Sequence, residues 1–221
     1  MTISFDALGE RAFWDRFQET AKPTAKGVSA EARFGWTQYP DHGPGEEVLG
    51  TAQRVLELGC GIGNEVAYLD RLGLDVIGVD FSGVGLERAR AKWPAQADRF
   101  QQYGALDYLA RTEGTFDAVY SIFGAMWFND PEEILPLALR RLRPGGVLAF
   151  SHLPPVPGCH GVAGAWQFGG RGEPMCVRRW NYEPEMWVEI LDAHGFVSPT
   201  ADVLEAPTPG DVGTLLVRAV A

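Results

Sequence analysis

The sequence has no surplus of positive charge, no long apolar run and few cysteines and histidines. Nineteen Lys and Arg stand against 29 Asp and Glu, a formal net charge of −10, and no basic run exceeds two residues. A chain that acidic repels phosphate backbones and anionic lipid, so neither nucleic acid nor a membrane surface is an expected partner. No apolar stretch approaches the ~20 residues that a membrane helix needs. The opening MTISFDALGERAFWDRF carries acid and lacks a basic-then-apolar pattern, so secretion is not expected. Cys60, Cys159 and Cys176 are an odd count without CxxC spacing. They suggest neither a disulfide framework nor a zinc site, no metal is expected, and a reducing, cytoplasmic setting fits. No internal repeat or low-complexity tract occurs.

What is present is an ordinary folded composition: 221 residues, 46% apolar and 22% charged, the size of one large domain. Residues 6–19 place Leu8, Ala12, Phe13 and Phe17 on one face of an amphipathic helix. Residues 20–50 are broken by prolines and glycines and read as loop with short helices. The pattern then becomes regular. Strands are expected at 54–58, 75–79, 99–103, 116–120 and 146–151, with helices at 64–72, 83–92 and 131–141 between them. That alternation implies right-handed crossovers and a parallel sheet covered on both faces, an α/β fold. Residues 154–183 interrupt it with Pro, Gly and aromatics. A helix at 184–194 and two closing strands, 197–204 and 213–220, follow.

The first strand runs straight into Gly59-Cys60-Gly61-Ile62-Gly63 and then a helix. Glycines there let backbone approach a ligand and put helix N–H groups at its polar end. Such a turn, at the carboxyl edge of a parallel sheet, is the expected binding crevice. Asp80 sits 21 residues beyond Gly59, at the end of the second strand, where a carboxylate can accept both hydroxyls of a ribose. A dinucleotide site would want its third glycine at position 64, which is Asn64, so a nicotinamide oxidoreductase is disfavoured. No P-loop lysine follows, which argues against phosphoryl transfer.

VLELGCGIGNE (55–65), VIGVDFS (76–82), FDAVYSIFGAMWF (116–128) and LRPGGVLAFSH (142–152) resemble the successive motifs of class I S-adenosylmethionine-dependent methyltransferases, in order and spacing over about three quarters of the chain. The resemblance, to the small-molecule branch, implies a Rossmann-like seven-stranded sheet of order 3-2-1-4-5-7-6 with the seventh strand antiparallel. It implies S-adenosylmethionine as donor and S-adenosylhomocysteine as product. It places the backbone of Gly59, Cys60, Gly61 and Gly63, with Asn64, against the methionine and ribose, and gives Glu57 to the loop or the methionine ammonium. Asp80 would take the ribose hydroxyls and Phe81 would pack near the adenine. The family usually has an acid directly after the glycine that follows strand three. Here Gly104 is followed by Ala105, so Ala105, Leu106 and Asp107 all stand as candidates. Ser121 and Phe123, at the tip of strand four, should face the sulfonium or the substrate.

The tip Ser121-Ile122-Phe123-Gly124 is not the (N/D/S)PP(Y/F) of the DNA and protein amino-methylating branches. Asn129-Asp130-Pro131-Glu132 reads as a helix start with Asn129 or Asp130 as cap. Small-molecule members cover the crevice with an N-terminal helix and an insertion after strand five, and this chain offers both. The division is a cover over 1–50 and a core over 51–221 with an insertion at 152–185. Phe5, Trp14, Trp36 and Tyr39 from the first segment, Trp127 from the core, and Trp166, Phe168 and Tyr182 from the insertion are candidates to hold an apolar or planar substrate. Arg171, Arg178 and Arg179 could clamp a carboxylate or phosphate, Arg179 foremost.

Methyl transfer from a sulfonium is an in-line displacement in which the protein supplies alignment and desolvation. A hydroxyl or ammonium acceptor also needs its proton removed. Of four histidines, His152, directly after strand five, is the first candidate base and His160 the second; His194, ending a helix, reads as structural. The expected function is methylation of an O or N atom of a small molecule, in natural-product biosynthesis. The competing readings are methylation of RNA or protein, and a non-catalytic S-adenosylmethionine-binding protein. The sequence leaves the acceptor and the oligomeric state open.

Overall fold

A computed structural model describes residues 7–20, 31–167 and 175–221. Seven strands form one sheet: β1 Arg54–Leu58, β2 Asp75–Asp80, β3 Phe100–Gln102, β4 Phe116–Ile122, β5 Leu142–His152, β8 Val197–Leu204 and β9 Thr214–Val220. Their spatial order is β3-β2-β1-β4-β5-β9-β8. Neighbours from β3 to β5 pair in parallel, and β9 runs antiparallel between β5 and β8. Omitting the two strands inserted after β5, this is the order 3-2-1-4-5-7-6 with an antiparallel last strand, as expected.

Strand alternation explains the two-sided core. Leu56, Leu58, Leu148 and Phe150 face one side of the sheet; Val55, Tyr120, Val147 and Ala149 face the other. The first face is covered by α4 Ala105–Arg111, α6 Pro131–Arg141 and α7 Pro184–Ala193, which bury Leu109, Ile134, Leu135, Trp187 and Leu191. The second is covered by α2 Asn64–Arg71 and α3 Gly83–Lys92, with Val66, Leu69, Leu86 and Ala89. Near-continuous apolar strands are what double coverage requires. Among the caps the sequence suggested, Asp130 is the one used: its side chain accepts from the Glu132 N–H, with Pro131 in the first turn.

The structure differs from the sequence reading in three places. Residues 154–183, read as irregular, contain an antiparallel hairpin, β6 Gly161–Gln167 with β7 Met175–Asn181. Gly161, Ala163, Gly164 and Ala165 give β6 little strand propensity, so nothing local announced it. Helix α4 and the single turn α5 Ala125–Phe128 were also not expected. Both follow a glycine without a side-chain cap. The N-terminal helix is present as α1 Ala7–Thr20.

Gly63 joins turn to helix α2 in the left-handed region, at φ 69°, and a Cβ there would collide with the Phe100 ring. Gly73 has φ 89° with open space around it. Gly63→Ala is therefore expected to destabilise the protein by roughly 2–3 kcal/mol. Gly73→Ala, which carries only the backbone penalty, should cost about 1 kcal/mol. Denaturant unfolding of the two variants checks the difference, and equal losses would contradict the packing argument.

Candidate active site

The loop after β1 is built almost wholly of backbone. Gly59, Gly61 and Gly63 have φ of 83°, 52° and 69°, conformations that side chains resist. The N–H groups of Gly59 and Cys60 both donate to the Val79 carbonyl, at 2.8 and 3.0 Å. The Gly61 N–H donates to Asp80 Oδ2 at 2.7 Å, and the Ser82 N–H to Oδ1 at 2.8 Å. On its other side the turn meets the β4–α5 link, where a Cβ on Gly59 would come within 2.8 Å of the Ala125 nitrogen. The three segments are thus clamped together at the carboxyl edge of the sheet.

Burial pushes the Asp80 carboxyl above the ordinary carboxylate value; the Ser82 and Gly61 N–H groups offset part of this, and nearby Asp15 adds to it. Asp15, on α1, accepts from Ser82 Oγ at 2.6 Å, which ties the N-terminal helix to the start of α3. Glu57 is buried and accepts from the Tyr120 hydroxyl at 3.0 Å. Burial and Glu57 together push that phenol well up, so Tyr120 stays a donor.

One cavity of about 850 Å³ opens over this edge. Glu57, Gly59, Cys60, Gly61, Asn64, Asp80, Phe81, Ala105, Leu106 and Asp107, nominated above, all line it, as do Phe123 and Trp14. Gly63 does not; it serves as the left-handed cap of α2. Phe123 has φ 49°, rare for an aromatic residue, and its N–H is held by the Ser151 carbonyl at 2.8 Å. Strained backbone of this kind gathers at functional sites.

The other end of the cavity is aromatic and charged. Trp14, Phe17, Phe123, Phe128 and Trp180 line it, with Glu10, Asp130, Glu133 and Arg178. Trp14 meets Phe128 edge-on at 4.9 Å, so α1 packs against α5 at the cavity wall. Glu10, Gln18, Phe128, Asp130 and Glu133 line the cavity without having been proposed from the sequence, whereas Trp180 belongs to the aromatics expected of the insertion. The signal for α1 was present: residues 10, 14, 17 and 18 recur at helical spacing beside the buried Phe13 face.

Several nominated residues lie elsewhere. Ser121 is fully buried, donates to the Leu58 carbonyl at 2.7 Å and accepts from the Met126 N–H, so its hydroxyl braces the strand tips instead of facing a ligand. Trp36 is fully buried, with Nε1 donating to the Gly45 carbonyl. The Tyr39 hydroxyl donates to the Val212 carbonyl, and Tyr182 packs edge-on against Trp187. Arg178 and Arg179 alternate along β7, so they face opposite ways. Arg178 lines the cavity; Arg179 lies 4.0 Å over the Trp127 ring, behind the wall, so the candidate clamp is displaced by one residue. Trp127 itself is buried and donates to Asn181 Oδ1. Phe5, Phe168 and Arg171 fall outside the described residues, as does the side chain of Trp166.

The histidines require the largest correction. His160 is exposed and lines no part of the cavity. His152 is fully buried, stacked on Trp127 at 5.2 Å and 8° and flanked by Phe150 and Trp187. Its Nδ1 lies 2.7 Å from the Leu153 carbonyl and must carry the proton, which leaves Nε2 as a buried acceptor without a partner among the described residues. Burial lowers its pKa from 6.5 to about 4. It closes β5 instead of following it, still at the carboxyl edge, but the ring turns under Trp127 and away from the cavity, and so weak a base gains few protons at neutral pH. His194 bonds the Ile190 carbonyl at the end of α7, a structural contact.

Among the described residues, no cluster of three or more His, Cys, Asp or Glu is placed to hold a metal, and no helix is long and apolar enough to cross a membrane. Residues 56–150 match the family model for a methyltransferase domain. Trans-aconitate 2-methyltransferase of Deinococcus radiodurans is 37% identical over 183 residues, 73% of this chain and 66% of that protein. Malonyl-[acyl-carrier protein] O-methyltransferase of Enterobacter lignolyticus is 34% identical over 100 residues, 45% of this chain and 39% of that one. The chain thus spans well under half the length of some curated relatives it matches. Among solved structures, the glycopeptide N-methyltransferase MtfA complexed with S-adenosyl-L-homocysteine superimposes with TM-score 0.58 at 21% identity, covering 78% of this chain and 84% of that one; this is likeness of fold.

The buried, neutral His152 makes stability depend on pH. Its folded pKa lies below its unfolded one, so its contribution is complete above pH 6.5 and is lost as pH falls toward 4. The loss attributable to this ring is about 3 kcal/mol. Unfolding free energies measured from pH 7.5 to 4 should show it, and His152→Phe should remove that part of the slope; an unchanged slope would contradict the assignment.

Proposed function

We propose, from the premise that this chain belongs to the class I S-adenosylmethionine-dependent methyltransferases, that it transfers a methyl group to an O or N atom of a small molecule with an apolar or planar body. The observation that carries this reading is the clamp of the glycine turn onto Asp80, at the mouth of one cavity whose far end is aromatic. The residues fit the donor. A half-buried carboxylate held by two backbone N–H groups keeps lone pairs for a ribose diol. Phe81 and the start of α4 offer an apolar slot for the adenine, and Glu57 a carboxylate for the ammonium. The cavity volume, about 850 Å³, is within the range that holds a drug-sized ligand.

When bound, the donor supplies an electrophilic methyl on a positively charged sulfur. The chain's part is to align and dry the reacting pair. Backbone at 59–61 and the Asp80 carboxylate fix one reactant; Phe123, Phe128, Trp14 and Trp180 wall in the other and exclude water. We assign the covering role to segment 1–50 and to the insertion at 152–185, with the catalytic core over 51–221. A small-molecule substrate is the partner this reading names, in a reducing, cytoplasmic setting that the free Cys60, Cys159 and Cys176 suit.

Calorimetry with S-adenosylhomocysteine is the test. The wild type should bind, and Asp80→Asn should bind at least tenfold more weakly, about 1.4 kcal/mol. Because the ionised carboxylate accepts the hydroxyls and burial raises its pKa, wild-type affinity should fall on acidification at a higher pH than an ordinary carboxylate would give. The Asp80→Asn protein should lack that dependence. No binding by the wild type would overturn the reading.

A further inference from the structure

The acceptor end of the cavity contains the pieces of a proton-transfer site that does not use histidine. Among the described residues no histidine or lysine lines the cavity, so the groups able to take a proton from an acceptor there are Glu10, Asp130 and Glu133. Asp130 Oδ1 already accepts from the Glu132 N–H as the cap of α6, and Glu133 is exposed at the rim. Glu10 differs from both. It is partly buried on α1, one helical turn from Trp14, whose side chain hydrogen-bonds it, and it shares the cavity lining with Arg178 of β7, whose charge acts on it. Burial holds its carboxyl above the ordinary value, against the opposing pull of Trp14 and Arg178, so it is a stronger base than an exposed carboxylate.

The same end also has a sign. Three carboxylates line it against one guanidinium, and that guanidinium lies within the field of Glu10 and over the Trp180 ring at 5.2 Å. A carboxylate entering on a substrate would meet net negative charge, whereas a cation would meet carboxylates within a lining that includes Trp14, Phe128 and Trp180. Resting on the function proposed above, the geometry points to Glu10 as the group that anchors a protonated amine acceptor and takes its proton. The ammonium N–H proton passes to the Glu10 carboxylate. The freed nitrogen lone pair then forms the N–C bond to the methyl carbon as the C–S bond breaks, its electron pair staying on sulfur. The methylated nitrogen emerges as an ammonium and the sulfur as a neutral thioether, so charge and atoms balance.

The test uses two probes of similar shape and opposite charge, phenethylammonium and phenylacetate, titrated at pH 7.5 into the full chain saturated with S-adenosylhomocysteine, with tryptophan fluorescence as readout. The wild type should bind the amine at least tenfold more tightly than the carboxylate. Glu10→Gln should bring the two affinities within threefold of each other, and Glu10→Lys should invert the order, while both variants hold S-adenosylhomocysteine within twofold of the wild type, which also shows that they are folded. Equal binding of the two probes by the wild type, binding of neither, or an amine preference that survives Glu10→Gln would overturn the amine assignment alone. Failure of the wild type to hold S-adenosylhomocysteine would instead overturn the methyltransferase reading on which it rests.

Discussion

One hydrogen bond fixes the geometry of the whole site: the Gly61 N–H donating to the Asp80 carboxylate at 2.7 Å. It joins the loop after β1 to the end of β2, two strands already paired in parallel from Arg54 to Leu58. The Val79 carbonyl reinforces it by accepting from Gly59 and Cys60, and the β4–α5 link closes it from the other side. The left-handed glycines are required because the turn must present N–H groups to its own neighbours while leaving one face clear. The carboxylate is thereby held in place before any ligand arrives, so little ordering remains to be done on binding.

Around that fixed edge the chain builds two unlike surfaces. One side is backbone, Asp80, Glu57 and small apolar side chains, carried by the most regular part of the sheet. The other comes from α1, α5 and the β6–β7 hairpin, elements outside the central strand alternation. Their contacts are mostly aromatic: Trp14 on Phe128, Phe128 on Trp127, and Arg179 over Trp127. A rigid turn with a separately built aromatic wall lets one fold serve many functions, because the wall can change without disturbing the turn.

This division also explains what could be read from the sequence. The strand–turn–helix with alternating glycines and the strand-end Asp80 were legible because each rests on local periodicity and short spacing, whereas the order of the sheet came from the resemblance of the motifs to a known family. The aromatic wall was not, because it depends on which way side chains face once distant segments pack. Ser121 and His152 occupy the expected positions at the carboxyl edge, yet packing turns both inward, one to brace strand tips and the other to stack under Trp127. Arg178 and Arg179 are adjacent in sequence, and only the pleat of a hairpin with little strand propensity decides which reaches the cavity. Glu10 was overlooked because the apolar face of α1 drew the reading, whereas the adjoining face carries the cavity residues.

The central claim is that the turn and Asp80 hold the adenosyl donor. The most direct measurement is a crystal structure grown with saturating S-adenosylhomocysteine. The account predicts ligand density in the cavity of about 850 Å³, with both ribose hydroxyls within hydrogen-bonding distance of the Asp80 carboxylate. A ribose held by other residues, or a cavity without the ligand at saturation, would contradict it.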